Sequence, residues 1–342
     1  MLTPLIGYSL EPPPSEVEFL RRELGITWRQ VSEPDLLSLL RSYPRLLLLV
    51  SEPQPYQSLL NAAGPRSLVA VMMSDEAYAT ERLAIARSPV LLRTYRHYPA
   101  EPASFARILG SAIGYVRDSR GTTQRASTVM PNLASGLRLR ARMTPWQKLG
   151  DRVRTLPLGY TDTFAQAFVE AQAIEGDQSL FRSALVDEPR PISVSFRGNR
   201  GLAQRIAGME MALRLSDSQV ETVDADWSAR AQVDTGHSYV ESLLRSRFAL
   251  TPPGFANNES FRFYEALTCG ALPVEVSVAT THLGTLPWRD VGSIQTHSWG
   301  KALAQVETMP ESVRQSRLVS ARTLIANTLR SRAQQIRDDL EG

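Results

Sequence analysis

The sequence is poor in cysteine, lysine and histidine, and each shortage excludes something. One cysteine, Cys269, rules out an intrachain disulfide. Stability must therefore come from burial, which at 342 residues removes about three quarters of the unfolded surface from water. Four histidines and that one cysteine, far apart in sequence, leave little material for a structural zinc site. Of the 38 basic residues only Lys148 and Lys301 are lysine. The excess of arginine fits a GC-rich coding sequence, and it also fits a phosphate-binding cleft, because the guanidinium is a planar fork of donors. The net charge of +3 is too small to argue for a nucleic-acid partner. The most apolar run, Leu46 to Val50, is far short of the roughly 20 residues of a membrane span. The first residues, MLTPLIGYSLEPPP, lack the basic and apolar regions of a signal peptide, so a cytoplasmic protein is the default expectation.

What is present reads as globular α/β. Hydrophobic residues make up 43% and charged residues 21%, which excludes wholesale disorder, and the length suggests about two domains. Short apolar runs alternate with helical patterns. Strands are expected at 4–8, 26–31, 45–50, 67–73, 90–93 and 152–156. Ser15 and Glu18 form a candidate capping box for a helix over 16–24. The pattern lapses over 117–149, and 176–190 is polar and helical at best. It then restarts with strands at 192–196, 219–223, 248–251 and 272–276, helices at 201–215, 238–245 and 259–269, and a closing helix over 311–340. The spacing predicts two Rossmann-like domains, 1–155 and 156–342, facing across a cleft, with ligands beyond the carboxyl ends of the strands.

The most informative stretch is SRFALTPPGFANNESFRFYEALTCGALPVEV, Ser246 to Val276. Pro252, Pro253 and Gly254 turn the chain after a strand, Asn257 or Asn258 can cap the next helix, and Gly270 ends it. On the helical wheel Phe261, Phe263, Tyr264 and Leu267 share one arc. Glu259, Arg262 and Glu265 share the other, beside Ala266 and Cys269. A helix start with an arginine suits a phosphate, and a carboxylate one turn further in could accept from a ribose diol. The alternative is a solvated face carrying i,i+3 ion pairs.

These residues resemble the C-terminal half of the exostosin-like glycosyltransferases. Three spaced blocks occur in order: Phe248, Leu250, Pro252 and Gly254; then Ser260, Arg262, Glu265 and Ala266; then Gly270, Pro273 and Val274. The close match covers about 80 residues. SFRGN (Ser195–Asn199), LPLGY (Leu156–Tyr160), SDE (Ser74–Glu76) and LLRTYRHYP (Leu91–Pro99) match more loosely. Fucosyltransferase-like GT-B enzymes carry a similar strand–helix–glycine–Pro-Val block. The resemblance implies a GT-B-like α/β fold whose C-terminal helix braces the two domains. It also implies inverting, metal-independent transfer of a sugar from a nucleotide-diphosphate donor. No cofactor is expected beyond the donor itself, with a UDP-sugar favoured over a GDP-sugar. The donor residues implied are Arg197, Gly198, Gly254, Glu259, Ser260, Arg262 and Glu265. Glu265 would take the ribose, and Arg262, helped by Arg197, the diphosphate.

Inverting transfer needs a base in reach of the acceptor hydroxyl. Asp75 and Glu76 directly follow an apolar strand run and carry the loose match, so they are the catalytic candidates. Glu52 follows another such run. Arg93 and His97 are candidate acceptor contacts. The expected partners are a nucleotide-sugar donor and a glycan or lipid-linked acceptor, not nucleic acid, since the arginine-rich 117–142 stretch lacks stacking aromatics. The arginine-rich closing helix allows peripheral association with the inner membrane surface. The competing reading is a non-catalytic nucleotide- or glycan-binding protein on a glycosyltransferase scaffold.

Overall fold

The computed structural model describes residues 5–13, 15–50, 68–72, 90–93, 153–174, 176–183, 189–198, 203–222, 236–252, 260–276, 287–296 and 298–341. Two all-parallel sheets organise them. The first has strands β1 (Leu5–Ser9), β2 (Ile26–Gln30), β3 (Leu46–Val50), β4 (Leu68–Met72), β5 (Val90–Arg93) and β6 (Val153–Thr155), in the spatial order β2-β1-β3-β4-β5-β6. The second has β7 (Ile192–Gly198), β8 (Ser218–Thr222), β9 (Ser246–Leu250), β10 (Leu272–Val276) and β11 (Ile294–Thr296), in the order β11-β10-β9-β7-β8. The architecture of two Rossmann-like parallel sheets is therefore the one expected. β3 and β10 are buried at every position, as strands covered on both faces must be. Each buried leucine of β3 contributes about 1.5–3 kcal/mol of hydrophobic stabilisation.

The helices among these residues are α1 (Val17–Phe19), α2 (Glu33–Ser42), α3 (Asp162–Ala171), α4 (Ala203–Ala212), α5 (Gly236–Leu244), α6 (Phe261–Cys269), α7 (Pro287–Gly292), α8 (Trp299–Thr308) and α9 (Glu311–Glu341). None is long and apolar enough to cross a membrane.

The helix expected over 16–24 differs from its reading. Only α1 is α-helical, and it passes into a π-helical stretch, Leu20–Leu24. The Ser15–Glu18 capping box does not form. The Glu18 N–H donates to Asp162 Oδ1 at 2.7 Å, and the Glu18 carboxylate is taken by Arg21 and Arg22. A partner 144 residues away outcompetes the local one. No helix forms in the described part of 176–190, where turns at 180–182 are held by Arg322 of α9.

The segment between the sheets is part of the core. Leu156, Leu158 and Tyr160 are buried, Tyr160 packs edge-on to Phe19 at 5.4 Å, and its hydroxyl donates to buried Glu23 at 2.9 Å. α9 fastens both sheets, as the closing helix was expected to do. Arg314, fully buried, donates to the carbonyls of Arg247 and Gly270 beside the second sheet. At its far end the Asp339 carboxylate pairs with Arg154 of β6, and the Asp339 carbonyl accepts from Arg45 before β3.

Candidate functional site

In the second sheet the chain runs from β7 to β8 on one side, then crosses to β9 on the other. β7 is thus followed by β8 on one side and β9 by β10 on the other, a reversal of strand order that in such sheets marks a crevice at the carboxyl ends. A pocket lies at this switch point, lined by Ser195, Arg197, Tyr239, Ser242, Leu250 and Arg262 among others.

Arg197 and Gly198 end β7. Arg262 projects from the first turn of α6, whose N-cap is Ser260 in extended conformation (φ −144°, ψ 152°) rather than Asn257 or Asn258. The Ser260 hydroxyl makes no capping hydrogen bond and is buried without a partner among the described residues, as is the Ser195 hydroxyl. Arg262 Nε donates to the Arg197 carbonyl at 3.0 Å, and its guanidinium lies 5.8 Å from the Phe196 ring centre. No carboxylate among the described residues pairs with it. Gly198 makes room: a Cβ there would sit 2.9 Å from Arg262 Nη2. Arg197 is half-buried and engaged, with Nη1 donating to Ser238 at 2.6 Å and Nε 3.5 Å from Glu221.

The solvated-face reading of α6 fails. Residues Phe263 to Cys269 are all buried, and Glu265 is 5% exposed. Glu265 Oε1 accepts from Thr161 Oγ1 at 3.1 Å and from the Thr161 N–H at 3.5 Å, and Oε2 accepts from the Tyr239 hydroxyl at 3.0 Å. Burial pushes its carboxyl pKa up, while the Arg262 charge and these hydrogen bonds pull it back. Burial and the neighbouring Glu265 raise the Tyr239 phenol well above its ordinary value. Gly270 closes the helix in the left-handed conformation (φ 80°) that favours glycine.

Residues 194–286 match the family model of the RXYLT1 C-terminal domain. The match contains Arg197, Gly198, Ser260, Arg262 and Glu265. A solved structure titled "Crystal Structure of alpha1,3-Fucosyltransferase" aligns with 99% of this chain and 91% of its own, at 9% identity and a TM-score of 0.43. No curated protein matches the chain.

The structure thus brings Arg197, Gly198, Ser260, Arg262 and Glu265 to one end of one sheet. Gly254, Glu259, Asp75, Glu76 and His97 lie outside the described residues. Arg93 ends β5 in register with Met72, and its side chain is outside the description. Sequence reasoning missed Thr161, Tyr239 and Ser242. Thr161 carried a signal: it precedes the apolar positions Phe164, Ala165 and Phe168, and its hydroxyl does cap α3. Among the described residues no group of three or more His, Cys, Asp and Glu is arranged to hold a metal ion.

Proposed function

We propose that the protein is a glycosyltransferase that binds the diphosphate of a nucleotide-sugar donor at the β7–β9 switch point. The observation that carries this reading is Arg262: a guanidinium that no carboxylate among the described residues pairs with, laid across Gly198, near a Ser260 hydroxyl that has no partner among those residues either, at a helix N-terminus. Backbone N–H groups and the helix dipole favour an anion there, and arginine binds phosphate with a matching fork.

The chemistry follows from that placement. The acceptor oxygen attacks the anomeric carbon, the bond from that carbon to the diphosphate oxygen breaks, and the nucleoside diphosphate leaves with the electron pair. Arg262 stabilises the charge growing on the leaving oxygens, with Arg197 behind it. Asp75 or Glu76 takes the acceptor proton, giving inversion in one displacement without a metal, and Arg93 and His97 contact the acceptor. Gly254 and Glu259 are further donor contacts. Glu265 already accepts three hydrogen bonds, so a carboxylate with about four lone-pair sites has one left for a ribose hydroxyl. The favoured donor is a UDP-sugar over a GDP-sugar, and the acceptor a glycan or lipid-linked sugar.

The test is calorimetric titration with UDP, GDP, CMP and ADP, in EDTA, of the wild type and Arg262→Ala. The expected result is binding of one nucleotide, weakened about tenfold or more in the variant, the scale of a lost charge-assisted hydrogen bond. Absence of binding by every nucleotide overturns the reading. Binding without transfer to any acceptor or hydrolysis of the matching sugar donor selects the non-catalytic alternative.

A further inference from the structure

The pocket is wired to the first sheet. Tyr239 forms part of the pocket wall and donates to Glu265 at 3.0 Å. Glu265 in turn holds Thr161, through both its hydroxyl and its N–H. Thr161 is the N-cap of α3, and the same hydroxyl accepts from the Phe164 N–H at 3.4 Å. The next residue reaches into the first sheet's layer: the Asp162 N–H donates to the Ser15 carbonyl, and Asp162 Oδ1 accepts from the Glu18 N–H, both at 2.7 Å. Ser15 lies just before α1, the helix that follows β1, and Glu18 lies within it. A second contact runs parallel, with the Tyr239 ring edge-on to Phe164 of α3 at 6.4 Å.

Two features make this path more than packing. Every link is polar and centred on buried Glu265, with Tyr239, Thr161, Asp162 and Glu18 half-buried and Ser15 exposed, so a broken link costs about 1 kcal/mol. Thr161 uses one hydroxyl for both the helix cap and the Glu265 bond, so a displacement of Glu265 is felt at the first turn of α3. The path therefore resists small shifts at the pocket and passes them on.

We propose that Tyr239 is a positioning residue: through the path Tyr239–Glu265–Thr161–Asp162–Ser15/Glu18, pocket occupancy sets how the α1 side of the first sheet is held against the donor site. The inference rests on the donor-site reading above. It assigns Tyr239 no contact with reacting atoms. Its expected effect is on turnover, because the acceptor-side sheet must be aligned with the bound donor for reaction, while donor affinity comes chiefly from the diphosphate contacts of Arg262.

Amide hydrogen exchange on the full chain, with and without the nucleotide chosen by calorimetry, tests it together with steady-state kinetics. Tyr239→Phe is expected to speed exchange at the Glu18 and Asp162 amides about tenfold, the size of one lost buried hydrogen bond, with β10 amides unchanged. It is also expected to lower kcat about tenfold while donor KM stays within about threefold. Thr161→Val should reproduce both effects and Thr161→Ser should retain wild-type behaviour. Unchanged exchange at Glu18 and Asp162, equal loosening in β10, or a rise in KM alone overturns the proposal. If the wild type binds no nucleotide, the functional reading falls, and the exchange rates of the ligand-free variants still decide the coupling.

Discussion

Two arginine–glutamate couples lie on neighbouring elements of the second sheet, and they are built differently. Glu275 on β10 and Arg289 on α7 are both buried and joined by two hydrogen bonds, one of 3.2 Å. Ser293 donates to the same carboxylate at 3.0 Å, and the guanidinium lies 5.0 Å from the Phe263 ring centre. This couple is closed. Glu265 and Arg262 on α6 are close enough to influence each other electrostatically, yet each takes other partners: Glu265 hydroxyls and an N–H, Arg262 a carbonyl. This couple is open. A closed buried pair spends its charge on itself, whereas an open one keeps a cation facing the pocket.

The sharpest way to break this comparison is to remove each arginine. Arg289→Met leaves Glu275 buried and uncompensated, and should cost about 3–5 kcal/mol in urea or thermal unfolding. The double variant with Glu275→Leu should recover most of that. Arg262→Met should cost about 1 kcal/mol, the value of one ordinary hydrogen bond, while nucleotide affinity falls about tenfold or more. Equal stability losses for the two arginines would erase the distinction. Gly198→Ala should fall between them in effect on binding. Its Cβ meets the buried Phe196 ring at 2.8 Å as well as Arg262 Nη2 at 2.9 Å, so stability falls by about 1–3 kcal/mol while displaced Arg262 weakens nucleotide binding several-fold.

The pH dependence separates Glu265 from an exposed carboxylate. Burial raises the Glu265 pKa above its unfolded value of 4.5. Its stability contribution is present below 4.5 and is lost as pH rises through the folded value, so Glu265→Gln should gain on the wild type as pH rises toward neutrality. Glu311 behaves oppositely. The Arg314 guanidinium hydrogen-bonded to it lowers its pKa to about 2, so its contribution is present above 4.5 and lost as pH falls through about 2. Glu311 is half exposed, so Glu311→Gln should cost less than about 1 kcal/mol at neutral pH, readable as a smaller acid-limb loss in unfolding curves.

How much of this was legible in the sequence depends on where each partner sits. The strands were legible because β3 is an unbroken apolar run and β7 alternates apolar with polar residues, and Gly270 marked the end of α6. Arg262 and Glu265 were legible as a spaced pair. Their environments were not: Glu265 takes its partners from 104 and 26 residues away, and Asp162 displaces a capping box from 144 residues away. Short elements escaped as well. β11 has three residues, and α8 follows a serine whose N-cap side chain makes no capping bond. Local propensity specifies elements, but the pairing of buried polar groups is decided by the fold as a whole.

Helix α9 has a consequence for the order in which the molecule is made. It is synthesised after both sheets, yet it supplies Arg314 and Arg322 to the carbonyls of one half and Asp339 to Arg154 in the other. A nascent chain can form each parallel sheet as its strands emerge, and Asp162 can already reach Ser15 and Glu18, but the Arg314, Arg322 and Asp339 ties are missing until α9 has left the ribosome. A premature stop or proteolytic cut before Glu311 would therefore release a chain with most of its strands and an open seam, the kind of species that chaperones and proteases recognise.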